Sequence, residues 1–566
     1  MTTTPPVSKS NIPVRRLILL GLIILMWAIY ANILHAPFVY DDKIEVVGNK
    51  TIRFWNEWRE ILLYNPARAL LQLSYAYNFS TSQFDPFDYH VTNLLIHSCT
   101  LITVFFASEQ LARLGKLTSP IAFATILTAW WGLHPMAVES VTYITGRSES
   151  MCALFAFGSI GLKAVHLQQR QWFWNIGAWI CILLAIMVKE VAVMLPLLFF
   201  AMEWIFENKR SISTTLMMGI GGLLFAGLRG FVVWRSLENP SLWSAVEGFI
   251  PQEVERPLAV QLLTQAEVWI RYGGLWVAPI EQTLFHHLED ANLQDATTYL
   301  WTLGWLGLLT GGWWISRRHT ILRFALVGGI LILLPSSSFA ALQENMAEHR
   351  SHQMGWYLGL FGLTLLWQYR THNVLRILAP LTLILLSWKT FERNTIWTSE
   401  VLLWQEATLV NPESPKAWYG LGDAHRFARQ FEPSLAAFAT CTRLDVQDMD
   451  CWNNMGIVYA EMSNVDKARE TWMSALQHNS AYCKAHSNLG FLSYRQEDWD
   501  DALVEFRSAL VYCPTNVIAH YGLGLLYYGP RLDVQKAIHH LDKVLQINPT
   551  FDYASDARQK LLDLTW

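Results

Sequence analysis

Charged residues are scarce in this chain of 566 residues. Asp, Glu, Lys and Arg make up 16% of it, whereas 52% of the residues are hydrophobic and 27 are tryptophans. An ordinary soluble domain has about 25% charged residues, so the apolar first two thirds of the chain cannot be one. The formal net charge is only −4, which gives no support for nucleic-acid binding.

Three further absences narrow the class of protein. The seven cysteines include no C-x-x-C pair, the spacing typical of a structural zinc site. No small-residue cleavage pattern follows the first apolar stretch, 17–34, so we expect this stretch to remain as a membrane anchor. No internal repeat is present within 1–391, whereas many transporters are built from internal repeats.

Long apolar runs extend from Leu17 to about Phe391. Their lengths predict about eleven membrane-spanning helices. The predicted spans are 17–34, 91–112, 119–134, 148–167, 172–188, 191–206, 214–235, 299–316, 321–340, 353–369 and 374–391. We interpret 259–279 as a re-entrant or interfacial segment, because a twelfth span would move Arg317 and Arg318 to the opposite side of the membrane from the other basic clusters.

Basic residues set the predicted orientation, because short cytoplasmic loops are enriched in Lys and Arg. With eleven spans, the basic clusters fall on one side: Arg15 with Arg16, Arg113 with Lys116, Lys163 with Arg170, Lys209 with Arg210, Arg317 with Arg318, and Arg370 with Arg376. The other side then receives the loop 35–89, the turn 134–147, Lys189 with Glu190, the region 236–298, the stretch 341–352 and the C-terminal third of the chain.

From about Glu400 the sequence repeats every 34 residues. Gly422, Gly456, Gly490 and Gly524 lie 34 residues apart, within W-Y-G-L-G, W-N-N-M-G, H-S-N-L-G and H-Y-G-L-G. This period is typical of tetratricopeptide (TPR) helix pairs. We predict four full repeats over 416–549, preceded by a half-repeat and closed by a helix near 551–564. The groove of such a solenoid binds an extended peptide or a partner helix.

The first external loop carries two adjacent acids, Asp41 and Asp42. Neighbouring carboxylates near an apolar boundary repel each other and are partly desolvated, which raises the pKa of one of them. Such a pair suits a general base or a site for a divalent cation such as Mg²⁺ or Mn²⁺. The alternative for the dipeptide alone is a solvated Asp-Asp turn.

Other ionisable residues cluster at span ends on the same predicted face. They are His134, Glu139, Arg147 and Glu149 in one group, Lys189 and Glu190 in a second, and Glu348, His349 and Arg350 in a third. Arg68 lies on an aromatic-rich amphipathic stretch. If 341–352 is helical, Glu344, Glu348 and His352 share one face. Ionisable residues at membrane depth commonly mark a substrate path, and the alternative for each group is a structural ion pair.

Several motifs resemble one family along the whole chain. F-V-Y-D-D-K-I-E-V-V-G-N resembles an F-x-D-D...N loop, Y-H-V-T-N-L-L-I-H resembles F-H-x-x-N-x-x-L-H, and K-E-V-A-V resembles a K-E-x-x-x step. The longest is H-P-M-A-V-E-S-V-T-Y-I-T-G-R-S-E, which is similar to H-P-x-x-x-E-A-V-x-x-x-x-G-R-x-E. M-A-E-H-R-S-H-Q-M-G-W-Y-L-G is similar to A-E-R-x-L-Y-x-P-S-x-G, and W-T-S-E-V-L-L-W-Q-E-A to the link into the repeats. The family is the GT-C glycosyltransferases with C-terminal TPR repeats, of the TMTC protein O-mannosyltransferase type, and their bacterial relatives.

The resemblance implies a GT-C fold and inverting transfer of a sugar from a polyprenyl-phosphate donor. It implies that Asp41 or Asp42 is the base, and it places the family's Gly-Arg-x-Glu on Gly146, Arg147 and Glu149. Basic residues would hold the donor phosphate. The chain departs from the family in two places: the Y-R-P-L segment is only loosely present around Arg68, and an extra residue, His349, separates Glu348 from Arg350.

The four cysteines of the repeats fall into two pairs at helix ends. Cys441 and Cys451 flank one turn, and Cys483 and Cys513 lie at the same end of antiparallel helices. Two disulfides are possible in an oxidising compartment, and buried free thiols are equally natural.

Together these features predict an all-α chain with a membrane GT-C domain at 1–395 and a TPR solenoid at 396–566. The predicted activity is transfer of mannose or another hexose from a polyprenyl-phosphate lipid to a hydroxyl, such as a protein Ser or Thr, on the non-cytoplasmic face. The solenoid would recruit the acceptor or a partner. The predicted site residues are Asp41, Asp42, Arg68, His134, Glu139, Arg147, Glu149, Lys189, Glu190, Glu348, His349 and Arg350.

Two other functions fit the same pattern: a membrane-anchored TPR scaffold for envelope assembly, and a ligase or transporter acting on lipid-linked oligosaccharides. The absence of an ER-retention tail favours a bacterial inner membrane with a cytoplasmic N-terminus and a periplasmic solenoid. The alternative location is the ER membrane with a lumenal solenoid.

Overall fold

The computed structural model describes residues 12–207 and 256–565, apart from 340, 341, 343, 549, 550 and 552. Within these residues the chain is helical and has no strand, which confirms the all-α class for this part of the chain. The described residues form two compact units that divide between Leu403 and Trp404. The predicted span 214–235 and the basic pair Lys209 and Arg210 lie outside the described residues.

The first unit is a bundle of helices of unequal length. They are α1 (Ile12–Tyr30), α2 (Trp58–Tyr64), α3 (Ala69–Ser82), α4 (Pro86–Leu114), α5 (Pro120–Gly132), α6 (Val138–Val141), α7 (Arg147–Gln169), α8 (Trp172–Ile186), α9 (Leu195–Glu207), α10 (Leu258–Val277), α11 (Ala296–Ser316), α12 (Thr320–Leu334), α13 (His352–Leu366) and α14 (Asn373–Ile396). The next helix, α15 (Glu400–Val410), crosses the division between the units.

Length and apolar composition identify four of the described helices as candidate membrane spans. They are Ile12–Ile33, Pro86–Leu114, Arg147–Gln169 and Thr320–Ser337, and the bent pair of α5 with Pro135–Val141 makes up to five. The described residues therefore contain membrane-crossing helices, but they do not confirm a count of about eleven. Several of the other predicted spans form helices that are too short or too rich in polar residues to qualify.

Tryptophan side chains fill the interior of the first unit. Trp131, Trp276 and Trp356 are fully buried, and each indole N–H donates a hydrogen bond: to the His352 carbonyl at 2.8 Å, to Ser351 Oγ at 2.9 Å and to Ser108 Oγ at 3.0 Å. A buried indole needs a partner of this kind. The tryptophans therefore join helices that are far apart in sequence.

Polar residues enter this unit where helices break. Between α5 and α6 the chain bends by 62° around His134 and Pro135. Lys189 has extended backbone between α8 and a 3₁₀ segment, Glu190–Met194. A third break lies between α12 and α13 and ends in the 3₁₀ turn Glu348–Ser351. Each break places polar side chains within an otherwise apolar unit.

The second unit is a series of antiparallel helix pairs. Its helices are α16 (Pro415–Phe427), α17 (Phe431–Leu444), α18 (Met449–Glu461), α19 (Val465–His478), α20 (Cys483–Arg495), α21 (Trp499–Tyr512), α22 (Val517–Tyr528), α23 (Val534–Ile547) and α24 (Ala554–Thr565). Helix starts are fixed by side-chain caps: Asp448, Asn464, Asp498, Asn516 and Asp533 each accept a hydrogen bond from an amide two or three residues later. The four predicted helix pairs and the closing helix are present.

The glycine period has a packing cause. A Cβ on Gly422 would lie 2.7 Å from the Phe438 ring, and one on Gly524 would lie 2.6 Å from a Leu541 methyl. Gly456 and Gly490 face Trp472 and Phe506 in the same way. Real Cβ atoms do not approach so closely, so the first helix of each pair needs glycine where the second helix contributes a large side chain.

Both cysteine pairs of the repeats form disulfides, Cys441–Cys451 and Cys483–Cys513. The first pair joins α17 to α18, and the second joins the start of α20 to the residue that follows α21. Disulfides of this kind persist in secreted and extracytoplasmic proteins.

Candidate active site

The two loop acids lie in different surroundings. Asp42 is buried, and its carboxylate accepts hydrogen bonds from the backbone N–H groups of Thr145, at 2.8 Å, and Val39, at 3.2 Å. Burial raises the pKa of Asp42 to about 7, although these two hydrogen bonds oppose the shift. Asp41 is exposed. Asp42 therefore fastens the loop to the turn before α7, while Asp41 remains accessible to a ligand.

Backbone geometry at the preceding residue sets the direction of Asp41. Tyr40 has φ of 49°, in the left-handed region that side chains rarely occupy. The Asp41 N–H donates to the Tyr143 hydroxyl at 2.8 Å, and the Tyr40 hydroxyl donates to Glu344 Oε1 at 2.7 Å. Strained backbone of this kind is concentrated at functional sites. Here Tyr40 and Asp41 are each held by a hydrogen bond to a residue that is distant in the sequence.

A divalent cation shared by Asp41 and Asp42 does not fit this arrangement. Both oxygens of Asp42 already accept backbone hydrogen bonds. In the described part of the chain, one set of three potential ligands comes close together: Cys441, Asp448 and Cys451. The two sulfurs of that set are joined as a disulfide.

Arg147 is enclosed by protein. It is fully buried, and its guanidinium donates to Asn93 Oδ1 at 2.6 Å, to Ser74 Oγ at 3.1 Å and to the Tyr89 carbonyl at 3.0 Å. The same group lies 4.9 Å from the centre of the Tyr75 ring. Arg147 thus ties α3 and α4 to the start of α7, which is the geometry of a structural cation rather than of a phosphate ligand.

The turn before Arg147 depends on Gly146. A Cβ at this position would overlap the Glu139 carbonyl and would lie 3.0 Å from that of Tyr143. His134, at the start of the same segment, is buried and accepts a hydrogen bond from the Met136 N–H at 3.2 Å. The His134 side chain thus supports the bend between α5 and α6, whereas Arg147 supports the turn before α7.

Glu139 and His349 form a close pair. The Nδ1 atom of His349 lies 2.7 Å from Glu139 Oε1, and the His349 backbone N–H donates to Glu139 Oε2 at 3.0 Å. Glu139 is buried, whereas about a quarter of the His349 side chain, 24%, is exposed. The carboxylate therefore fixes both the position and the ring orientation of the histidine.

Two ion pairs lie at the break that follows α8. Lys189 pairs with Glu149, and Arg68 pairs with Glu190 at 3.2 Å. The charge of Glu190 raises the pKa of Arg68 above its usual value. Glu45 lies beside this second pair, and its pKa is raised to about 7. Burial is the main cause, Arg68 opposes it, and the carboxylates of Asp41 and Glu190 add to it.

The third break holds Glu348 and Arg350 in opposite environments. Glu348 is buried and accepts hydrogen bonds from the Gln282 side chain at 2.9 Å, the Thr283 N–H at 2.8 Å and the His286 ring at 3.0 Å. Although burial opposes it, the hydrogen bond from His286 and the charge of Arg393 hold the pKa of Glu348 below its usual value. Arg350 is half-buried.

Arg350 connects to the first loop. Its Nη1 donates to the Glu344 carbonyl at 2.7 Å, and Tyr40 donates to the carboxylate of the same residue. Burial raises the pKa of the Tyr40 hydroxyl, the charges of Glu344 and Asp41 raise it further, and Arg350 lowers it. Asp41 and Arg350 thus act on one hydroxyl although they lie far apart in the sequence.

These contacts define a polar cluster, by which we mean Tyr40, Asp41, Glu45, Arg68, Glu190, Glu344 and Arg350. The pairs Lys189–Glu149 and Glu139–His349 adjoin it. The sequence-based hypothesis requires the loop acids to lie near Arg147 and Arg350. In the structure Arg350 is connected to Tyr40, the neighbour of Asp41, through Glu344, and the charges of Asp41 and Arg68 both act on Glu45. Asp42, His134, Arg147 and Glu348 are instead held within the protein.

Sequence reasoning gave no role to Tyr40, Glu45 or Tyr143. A signal was present for the first two, because both lie within the F-V-Y-D-D-K-I-E motif. The suggested helical stripe of Glu344, Glu348 and His352 is wrong: residues 344–347 are not helical. Glu344 contacts Tyr40, Glu348 contacts His286, and His352 is buried against Trp131.

Comparison with known proteins supports the resemblance. The chain is 24% identical over 518 residues to human protein O-mannosyl-transferase TMTC3, a match that covers 79% of this chain and 53% of the relative. It is 22% identical to protein O-mannosyl-transferase F38B6.6 of Caenorhabditis elegans, covering 69% of this chain and 58% of the relative. The chain thus spans about half the length of the curated relatives that it matches.

The repeats are matched separately. A family model described as a TPR repeat matches residues 492–529. Among solved structures, YrrB, a TPR protein with an unusual peptide-binding site, is 21% identical and covers 31% of this chain and 87% of its own, with a TM-score of 0.23. TTC0263, a thermophilic TPR protein of Thermus thermophilus, is 17% identical, covers 33% of this chain and 96% of its own, and has a TM-score of 0.26. The similarity to TMTC proteins and the presence of TPR repeats are therefore confirmed.

Proposed function

We propose that this protein is an inverting membrane glycosyltransferase. It transfers mannose or another hexose from a polyprenyl-phosphate lipid to a hydroxyl group, such as that of a protein Ser or Thr. The observation that carries the proposal is the convergence of the accessible acid Asp41 with Arg68 and Arg350 in the polar cluster. The similarity to proteins named O-mannosyl-transferases over 79% of the chain supports it.

The chemistry assigns one role to the acid and another to the cations. Asp41 accepts the proton of the acceptor hydroxyl while the hydroxyl oxygen attacks the anomeric carbon from the side opposite the phosphate. Arg350 stabilises the phosphate as it leaves, and Arg68 contributes positive charge to the same region. Both groups work best where water is scarce, which the membrane interface provides.

The buried site residues act by positioning the others. Asp42 binds the loop that carries Asp41 to the turn at Thr145, and Arg147 joins that turn to α4. His134 supports the bend between α5 and α6. Glu190 and Glu149 orient Arg68 and Lys189. A base must lie within hydrogen-bonding distance of its substrate, so it depends on neighbouring residues that hold it in position.

We place this reaction on the non-cytoplasmic side of the membrane. About eleven spans and the positive-inside rule support this orientation, which puts residues 1–395 in the membrane domain and residues 396–566 in an extracytoplasmic TPR domain that recruits the acceptor or a partner. The two disulfides of the repeats support an oxidising compartment. We propose the bacterial periplasm, with the ER lumen as the alternative.

A donor comparison tests the proposed reaction. Membranes that contain the protein are supplied with a polyprenyl-phosphate hexose, a polyprenyl-diphosphate oligosaccharide, or no lipid donor, together with a Ser-containing peptide. We expect transfer from the monophosphate donor alone, and none to a matched peptide with Ala in place of Ser. Transfer from the diphosphate donor would indicate a ligase, and no transfer from either donor would favour a scaffold.

Alkylation of thiols tests the compartment. A maleimide that adds mass should modify three cysteines, Cys99, Cys152 and Cys181, when the protein is denatured without a reductant. After reduction it should modify all seven, because disulfide sulfurs do not react with maleimide until the bond is reduced. The control Cys441→Ser should give one additional adduct without reductant, from Cys451. Seven adducts without reductant would contradict the extracytoplasmic placement.

A further inference from the structure

His349 is the residue by which this chain departs from the family pattern, and its surroundings are specific. Glu139 binds it twice, through Nδ1 at 2.7 Å and through the backbone N–H at 3.0 Å. Both carboxylate oxygens of Glu139 are therefore used by one residue. Because this carboxylate is buried, it holds the ring in one orientation, with Nδ1 facing the carboxylate and Nε2 facing away from it.

The backbone around His349 is held on both sides. The Tyr272 hydroxyl donates to the Ala347 carbonyl at 2.8 Å, and the Trp276 indole donates to Ser351 Oγ at 2.9 Å. Glu348, the residue before His349, is fixed by its own buried hydrogen bonds. A histidine mounted on so rigid a segment has little conformational entropy left to lose when it binds a ligand.

One ring nitrogen of His349 is left for a ligand. Since Nδ1 faces Glu139, Nε2 points away from that carboxylate, and it makes no hydrogen bond within the part of the chain that the structure describes. The side chain is partly exposed. In many functional sites a carboxylate binds one ring nitrogen of a histidine and thereby orients the other toward a ligand, and His349 has this arrangement.

The residue after His349, Arg350, carries further hydrogen-bond donors on its guanidinium group. Among the described residues, its guanidinium has one hydrogen bond, from Nη1 to the Glu344 carbonyl. The charges of Arg350, Glu139 and Glu149 all act on the Tyr272 hydroxyl, so these groups share one region. The region thus offers an imidazole N–H and a guanidinium side by side.

We propose that His349 Nε2 donates a hydrogen bond to the phosphate of the lipid-linked donor, next to Arg350. The inference rests on the proposed function. In the reaction the acceptor oxygen bonds to the anomeric carbon, the bond from that carbon to the phosphate oxygen breaks, and its electron pair stays on the phosphate. Asp41 takes the hydroxyl proton, and the phosphate changes from one negative charge to two, which the hydrogen bond from His349 and the guanidinium of Arg350 stabilise.

Donor kinetics of His349→Leu and His349→Gln test this assignment, with polyprenyl-phosphate mannose and a Ser-containing peptide as substrates. Loss of a charged hydrogen bond should raise the donor KM of His349→Leu, and weaken inhibition by polyprenyl phosphate, by roughly ten- to a hundredfold. Gln retains an N–H donor but lacks the ring that Glu139 orients, so His349→Gln should lie between Leu and wild type. The peptide KM should not change in either variant.

Two controls separate binding from folding. His372→Leu removes an exposed histidine elsewhere in the same unit and should leave the donor KM unchanged. Glu139→Gln keeps an acceptor for Nδ1–H but places an amide group against the His349 backbone N–H, so it should raise the donor KM less than His349→Leu and lower the melting temperature moderately.

Two results would overturn the assignment while leaving the proposed function in place. One is a donor KM and product inhibition within about twofold of wild type in His349→Leu. The other is a loss confined to kcat or to the peptide KM, which would make His349 a base toward the acceptor. If wild-type membranes transfer nothing from the monophosphate donor, the proposed function falls, and this inference falls with it.

Discussion

Asp41→Asn is expected to lower kcat by roughly 10²- to 10⁴-fold, the usual contribution of a general base. Asn is close in size to Asp but cannot accept the hydroxyl proton. The donor KM should change little, because Asp41 is proposed to contact the acceptor rather than the phosphate. Initial rates in membranes, with the lipid donor and the Ser-containing peptide each at saturation, measure the effect.

Asp42→Asn is the matched control for this prediction. Its side-chain carbonyl can still accept the Thr145 N–H, but an amide group then faces the Val39 N–H, so one hydrogen bond of the loop is lost. We expect a lower melting temperature and a moderate fall in rate. If instead Asp41→Asn remains active and Asp42→Asn is inactive at full stability, the buried acid is the base and the assignment is wrong.

Arg147→Met should destabilise the first unit by about 2–5 kcal/mol, because it leaves buried acceptors without donors. These acceptors are Asn93 Oδ1, Ser74 Oγ and the Tyr89 carbonyl. A Met side chain fills much of the volume but makes none of these bonds. Thermal unfolding of the purified protein in detergent measures the loss.

Arg350→Met provides the contrast. Its side chain is half-buried and donates to one backbone carbonyl, so its removal should leave the melting temperature near that of wild type and should raise the donor KM. The opposite pattern, a stable Arg147→Met protein with a raised donor KM, would return Arg147 to the phosphate site and would contradict the structural role given to it here.

Local patterns in the sequence predict the helices and the repeats well. The 34-residue period fixes the helix pairs of the second unit, because Gly422 and its equivalents leave the space that a large side chain of the facing helix occupies. Asn and Asp at helix starts mark the boundaries. The number of membrane spans is harder to predict, since tryptophan and glycine lower the mean hydropathy of helices such as α11.

The candidate site is predicted only in outline. Sequence reasoning selects the segments that contribute to the polar cluster, because ionisable residues in apolar surroundings are conspicuous. It cannot rank the members of a pair such as Asp41 and Asp42, and it cannot tell that the conspicuous Arg147 is enclosed while Arg350 is not. Nor does it connect Tyr40 to Glu344, which lies 304 residues away in the chain.

The sequence by itself determined the helical class, the TPR repeats and the set of polar segments, because these follow from periodicity and composition over short distances. Only the tertiary structure decided which polar groups face a ligand and which support the fold. The reason is that burial and hydrogen bonding depend on contacts between distant segments: the amides of Val39 and Thr145 bind the buried Asp42, and Glu139 fixes the orientation of the His349 ring.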